Sequence, residues 1–173
     1  MGQYYRGCIL GNNKKTVVKC MKSYDYDSGA KLMEHSWMKN PFVGAFESML
    51  VGNPQYVIWA GDYADECKGL KTNVYQRCIE KLEVPPEVVP PQIVKAKYIV
   101  NHDKQMFVDK TKVPDADGWK IHPLPLLTCD GNGRGGGDFR GESDLVGSWA
   151  RDLISVEAKK PKGYTELKFD LVE

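Results

Sequence analysis

Short runs of β-branched and aromatic residues, separated by glycine, asparagine and proline, set the rhythm of this chain. Tyr4 to Leu10 is one such run and Thr16 to Met21 another, with Gly11-Asn12-Asn13-Lys14 between them. The intervening residues tolerate positive φ, so the pattern predicts a hairpin. Gln55 to Ala60 reads as a further strand, ending in Gly61-Asp62. A second hairpin is expected from Lys97–Val100 and Met106–Asp109 across Asn101-His102-Asp103-Lys104. Leu153–Glu157 and Tyr164–Phe169 read as a third, joined by Lys159-Lys160-Pro161-Lys162-Gly163.

The rhythm changes twice to that of a helix. Over residues 40–51, Asn40 supplies a cap, Pro41 suits the first helical position, and Phe42, Phe46, Met49 and Leu50 share one face before Gly52. A second helix is predicted from about Thr72 to Leu82, with Val74, Cys78, Ile79 and Leu82 as its apolar stripe. Residues 84–91, Val-Pro-Pro-Glu-Val-Val-Pro-Pro, lack the amide donors that helix or central strand requires and form an extended connector. Trp119 to Thr128 is apolar but broken by Pro123 and Pro125. Together these features predict an α+β fold: a mainly antiparallel sheet built from hairpins, with about two helices packed on one face. Residues 1–173 form a single domain, since the Pro-rich connector at 84–91 would otherwise leave lobes of under 90 residues.

Composition narrows the class. At 42% hydrophobic residues the chain can build a core, and no apolar run reaches the ~20 residues of a membrane helix. Met1 to Arg6 lacks the apolar stretch of a secretory signal. The five cysteines are odd in number and dispersed, which disfavours a disulfide framework or a zinc knuckle and favours reduced, structural thiols. A cytoplasmic protein is expected. The 24 basic and 23 acidic residues leave a net charge of +1, so generic duplex DNA binding is not expected, and neither is a membrane partner.

Candidate chemistry centres on the stretch from Cys129 to Gly141, where six of residues 131–141 are glycine. Glycine lets backbone amides approach a ligand closely, and successive amides can form an anion-binding nest. Gly133, Arg134, Gly135, Gly136 and Arg140 are therefore the candidate ligand-binding residues, the arginines offering bidentate contacts to phosphate. The string Gly131-x-Gly133-x-x-Gly136 matches a dinucleotide fingerprint formally, but Asp138 to Asp144 has no apolar face with which to continue as a helix. Candidates for acid/base catalysis are His122, His35, Asp62 and Asp138. Asp62, Asp65 and Glu66 would suit a divalent cation, although no metal or other cofactor is expected. Trp59-Ala60-Gly61-Asp62 is echoed by Trp149-Ala150-Arg151-Asp152, marking two places where an aromatic packs inward and an acid sits at a turn.

Several blocks carry a resemblance: Met1-Gly2-Gln3-Tyr4-Tyr5, Gly29 to Trp37, Trp59 to Asp65, Trp119 to Gly141, and Gly147 to Asp152. In these the chain resembles a family of short uncharacterised bacterial and phage proteins. The resemblance implies no particular activity; its phage setting implies a counter-defence role, such as sequestering a nucleotide signal in the cytoplasm of a bacterial host cell. The leading functional expectation is a binding protein for a small anionic, phosphorylated or nucleotide-like ligand. The alternatives are a hydrolase acting on such a ligand through His/Asp acid-base residues, and a protein–protein inhibitor without a small ligand. A homo-oligomer is compatible with either binding reading.

Overall fold

The computed structural model describes residues 2–130 and 135–172. The architecture is α+β, with eight strands in one mostly antiparallel sheet and three helices among the described residues. The first hairpin joins β1 (Tyr5–Leu10) to β2 (Val17–Met21), with Cys8 opposite Cys20. β3 (Gln55–Gly61) runs antiparallel on the other side of β1. The second hairpin is β4 (Tyr98–Asn101) with β5 (Met106–Asp109). Both hairpins and the β3 strand agree with the apolar rhythm of the sequence.

The third expected hairpin does not form. β7 (Leu153–Glu157) lies between β3 and β4, and with β8 (Thr165–Glu166) at the far edge the sheet order is β2-β1-β3-β7-β4-β5-β8. Ile154, Ser155 and Val156 are wholly buried, so β7 is a central strand that needs a ladder on both sides. The chain then crosses to that edge, where the two-residue β8 pairs parallel to β5. A further short strand, β6 (Cys129–Asp130), pairs parallel to β3.

Helix α1 (Leu32–His35) is a single turn. Helix α2 (Pro41–Ser48) begins as the sequence predicts, with the Asn40 side chain accepting from the amides of Phe42 and Val43. Phe46 is fully buried and meets Trp59 edge-on at 5.1 Å. The expected helix over 72–82 is instead a pair of 3-10 turns, Tyr75–Arg77 and Glu80–Leu82. Local side chains take over its backbone groups: Asn73 and Gln76 bond each other's amides, and Arg77 donates to the Thr72 carbonyl. A helix stands instead where prolines seemed to forbid one. Helix α3 (Pro123–Thr128) places both prolines in its first turn, where a missing amide hydrogen is harmless, and His122 caps it.

Alternation along β1 and β3 divides the core. Tyr5, Ile9, Val57 and Trp59 face the large cluster to which the helices contribute Leu32, Phe42, Phe46, Leu124 and Leu127. Cys8, Leu10, Ile58 and Ala60 face a smaller cluster on the other side, closed by Cys67, Val74 and Cys78. The sheet is thus buried on both faces here, and the segment from Asp62 to Glu83 is a cover with its own apolar contacts. Trp59 and Trp149 both pack inward, as their echoed sequences suggest.

Candidate functional site

The cover, the tip of the first hairpin and the start of β7 meet around Cys67. The turn carrying Cys67 is closed by bonds from its amide to the Thr72 carbonyl and from the Leu70 amide back to its own carbonyl. Gly69 sits in that turn at φ +81°, a conformation glycine adopts without strain. Opposite, Asn13 accepts from the amides of Lys15 and Thr16 and fixes the hairpin tip. Arg151 stands just before β7 at φ 70°, held there by its amide's bond to the Val57 carbonyl. A non-glycine residue in the left-handed region is uncommon and here directs a guanidinium into the space between three segments.

That guanidinium is a hub. It donates to the Lys14 carbonyl at 2.6 Å, to Cys67 Sγ at 3.3 Å and, more loosely, to Asp130 Oδ2 at 3.5 Å. Arg77 approaches the same thiol and also donates to the Lys15 carbonyl. Burial opposes ionisation of Cys67, but the two guanidiniums outweigh it and hold the thiol below its ordinary value. Asp130 shifts the other way: burial, aided by the charge of Asp65, raises its carboxyl against the pull of Arg151.

Cys67, Asp130 and Arg151 line a cleft of about 300 Å³ whose walls also include Lys15 and Lys68 as cations, Asp65 and Glu66 as carboxylates, and Lys14, whose ammonium pairs with Asp103. Asp130 also lines a second cavity, of about 250 Å³, with Tyr5, Asp138 and Phe139. Such a mixed lining provides partners for an anionic group and for hydroxyl or amine donors in one place. Among the described residues no group of three or more His, Cys, Asp or Glu side chains is arranged to hold a metal ion.

The sequence-predicted residues are distributed differently. Gly133 and Arg134 lie outside the described residues. Gly135 and Gly136 are committed to packing on the N-terminal segment. The Gly135 amide donates to Asp138 Oδ2, the Gly136 carbonyl accepts from Gln3, and a Cβ on Gly135 would lie 2.0 Å from Gln3 Cβ. Arg140 is exposed. Asp138 is buried and saturated, accepting from Tyr5 at 2.6 Å, from Gly135, and from the Gln3 amide at 2.7 Å. Burial and the bond to Asp138 keep the Tyr5 phenol protonated by raising its pKa.

His122 is 2% exposed and engaged at both nitrogens: Nδ1 accepts from the Leu124 amide and Nε2 pairs with Glu47 Oε2 at 3.0 Å. Glu47 also pairs with Lys110, whose ammonium donates to the Val94 carbonyl as well. Burial alone would raise the Glu47 carboxyl; His122 and Lys110 outweigh it and lower it. This buried triad ties α2, the cap of α3 and the turn directly after β5 together and has the character of a fold support. His35 accepts from the Lys31 amide, closing the turn of α1. Asp62 exchanges bonds with the Tyr4 backbone at the end of the β1–β3 ladder. These acids and histidines therefore sit in separate structural bonds.

Of the residues around the cleft the sequence pattern singles out Asp65 and Glu66 but not Cys67, Arg77 or Arg151. Only the Trp-Ala-Arg-Asp echo drew attention to the segment carrying Arg151. Compared with protein-family models, with curated proteins and with solved structures, the chain matches none.

Proposed function

We propose that this chain binds a small phosphorylated, nucleotide-like ligand in the cleft between Lys15, Lys68 and Arg151. One observation carries the reading: cations and carboxylates from the hairpin tip, the cover and the approach to β7 converge on one cleft of about 300 Å³. Its volume reaches the lower end of ordinary small-molecule sites. The cations suit a phosphate, and Asp65, Glu66 and Asp130 suit the hydroxyls of a sugar or the amine of a base. The glycine-rich stretch begins directly after Asp130 and so borders the site in sequence. In a phage setting a protein of this kind would act by sequestering a nucleotide signal. Binding is favoured over histidine-based hydrolysis because the histidines are built into structural bonds elsewhere.

The test is calorimetric titration of a panel of mono-, di- and cyclic nucleotides into the wild-type chain, Lys68→Glu, Lys15→Glu and Arg140→Ala. Loss of one charged hydrogen-bonding partner costs ~1.5–3 kcal/mol, so either cleft variant should weaken binding by about ten- to a hundredfold. Arg140→Ala should bind as the wild type does. Wild-type affinity in both cleft variants would overturn the assignment.

A further inference from the structure

Five thiols lie in this fold, and their surroundings differ sharply. Cys8 and Cys78 are buried with their sulfurs 3.3 Å apart, and Cys78 also donates to the Val74 carbonyl. The contact with Cys78 and burial push Cys20 well above the ordinary value; at Cys78 the contact with Cys20 pulls the other way, but Cys8 and burial outweigh it and raise that thiol too, so both remain protonated. Cys129 donates to the Leu126 carbonyl at 3.4 Å, a bond that also requires the thiol form. Cys67 is the exception. Its sulfur receives a guanidinium N–H from Arg151 at 3.3 Å, has Arg77 as a second cationic neighbour, and lines an open cleft. A guanidinium donates and does not accept, so this geometry favours the thiolate over the thiol.

We propose that Cys67 is a redox-reactive thiolate, oxidised by hydroperoxides to a sulfenic acid at the floor of the cleft. The sulfur attacks the terminal, hydrogen-bearing oxygen of ROOH. An S–O bond forms as the O–O bond breaks. Sulfur gives up two electrons and the peroxide takes them. The leaving RO⁻ becomes ROH by taking a proton from Asp130, which shares the Arg151 guanidinium with Cys67 and regains its proton from solvent. Burial and Asp65 keep a larger fraction of Asp130 protonated than an exposed aspartate would have. The product, Cys67 sulfenic acid, is reversible by thiols. All five cysteines are buried and Cys129 also lines a cavity, so it is the guanidinium contacts that separate Cys67 from the other four. The inference does not depend on which ligand fills the cleft.

The experiment treats the fully reduced, full-length chain with hydrogen peroxide in the presence of dimedone, followed by intact mass and peptide mapping. One adduct is expected, on the peptide carrying Cys67, and none in Cys67→Ser. Each unit by which a thiol pKa falls raises its thiolate fraction near neutral pH by up to about tenfold. Alkylation of the native chain by iodoacetamide should therefore show a pH midpoint below that of the urea-unfolded chain. Arg151→Gln should move the midpoint upward, and Arg151→Lys should restore part of the shift. The wild-type profile stands on its own if the arginine variants fail to fold. An adduct on another cysteine, no adduct at all, or a native midpoint equal to or above the unfolded one would overturn the proposal. Peroxide reactivity without nucleotide binding would sink the proposed function and leave this inference standing; the reverse result would do the opposite.

Discussion

Glu47→Gln tests the buried triad most sharply, because it keeps the shape of the side chain and removes only its charge. The carboxylate lies 1% exposed between Lys110 and His122, and the Lys110 side chain is 6% exposed. Breaking a buried pair from one side leaves the other charge without compensation, at a cost of ~3–5 kcal/mol. For a domain of this size each kcal/mol shifts the melting midpoint by ~2–4 °C, so Glu47→Gln should melt roughly 6–20 °C below wild type. Lys110→Met introduced beside it removes the stranded cation and should recover most of that loss. The carboxyl is lowered in the fold, so its contribution is complete above the unfolded value of about 4.3 and disappears as pH falls through the folded value. Wild type should thus lose stability in acid more steeply than Glu47→Gln. Urea unfolding of the three proteins, followed by tryptophan fluorescence between pH 3 and pH 7 on the order of one unit apart, measures both effects. A Glu47→Gln protein within about 1 kcal/mol of wild type, with an unchanged acid limb, would show that the triad does not hold these elements together.

Three further outcomes are expected. Phe46→Ala empties a fully buried ring position against Trp59 and should cost ~3–5 kcal/mol in chemical denaturation. Gly135→Val brings side-chain carbon into Gln3, where even a Cβ would stand 2.0 Å from its neighbour, so its melting temperature should fall clearly. Thiol counting under denaturing, non-reducing conditions should find all five cysteines reduced in protein purified without oxidant.

Most of the sheet could be read from the chain because its first hairpin, its second hairpin and β3 are set by local alternation and by turns that need positive φ. Helix α2 was equally legible, since Asn40, Pro41 and the Phe42–Phe46 spacing each act within one or two turns. What escaped depends on distant partners. The β7 strand looks like half of a hairpin until Tyr56, Gln55 and Asn101 are known to flank it. The 72–82 stripe looks helical, yet Val74 and Cys78 are buried by the sheet beneath them while Ile79 remains 47% exposed. Prolines read as breakers became the first turn of α3, a distinction that turns on where the helix starts. The candidate site was the least legible part. Cys67, Arg77, Asp130 and Arg151 share no spacing motif, and they meet because β6 lies parallel on β3 while β7 enters beside it. Conversely, the conspicuous Gly135-Gly136-Gly137 run has a packing reason in the close approach of Gln3 and Lys31.

Binding of a phosphorylated ligand in the Lys15–Lys68–Arg151 cleft can be seen directly in the amide chemical shifts of the isotope-labelled chain, followed during titration with the tightest-binding nucleotide of the panel. The largest saturable shifts should fall on residues 14–15, 66–68, 130 and 151, and Lys68→Glu should abolish saturation over the same concentration range. Saturable shifts centred elsewhere, such as on the exposed Trp119 and its neighbour Trp37, with the cleft residues unmoved, would contradict the assignment.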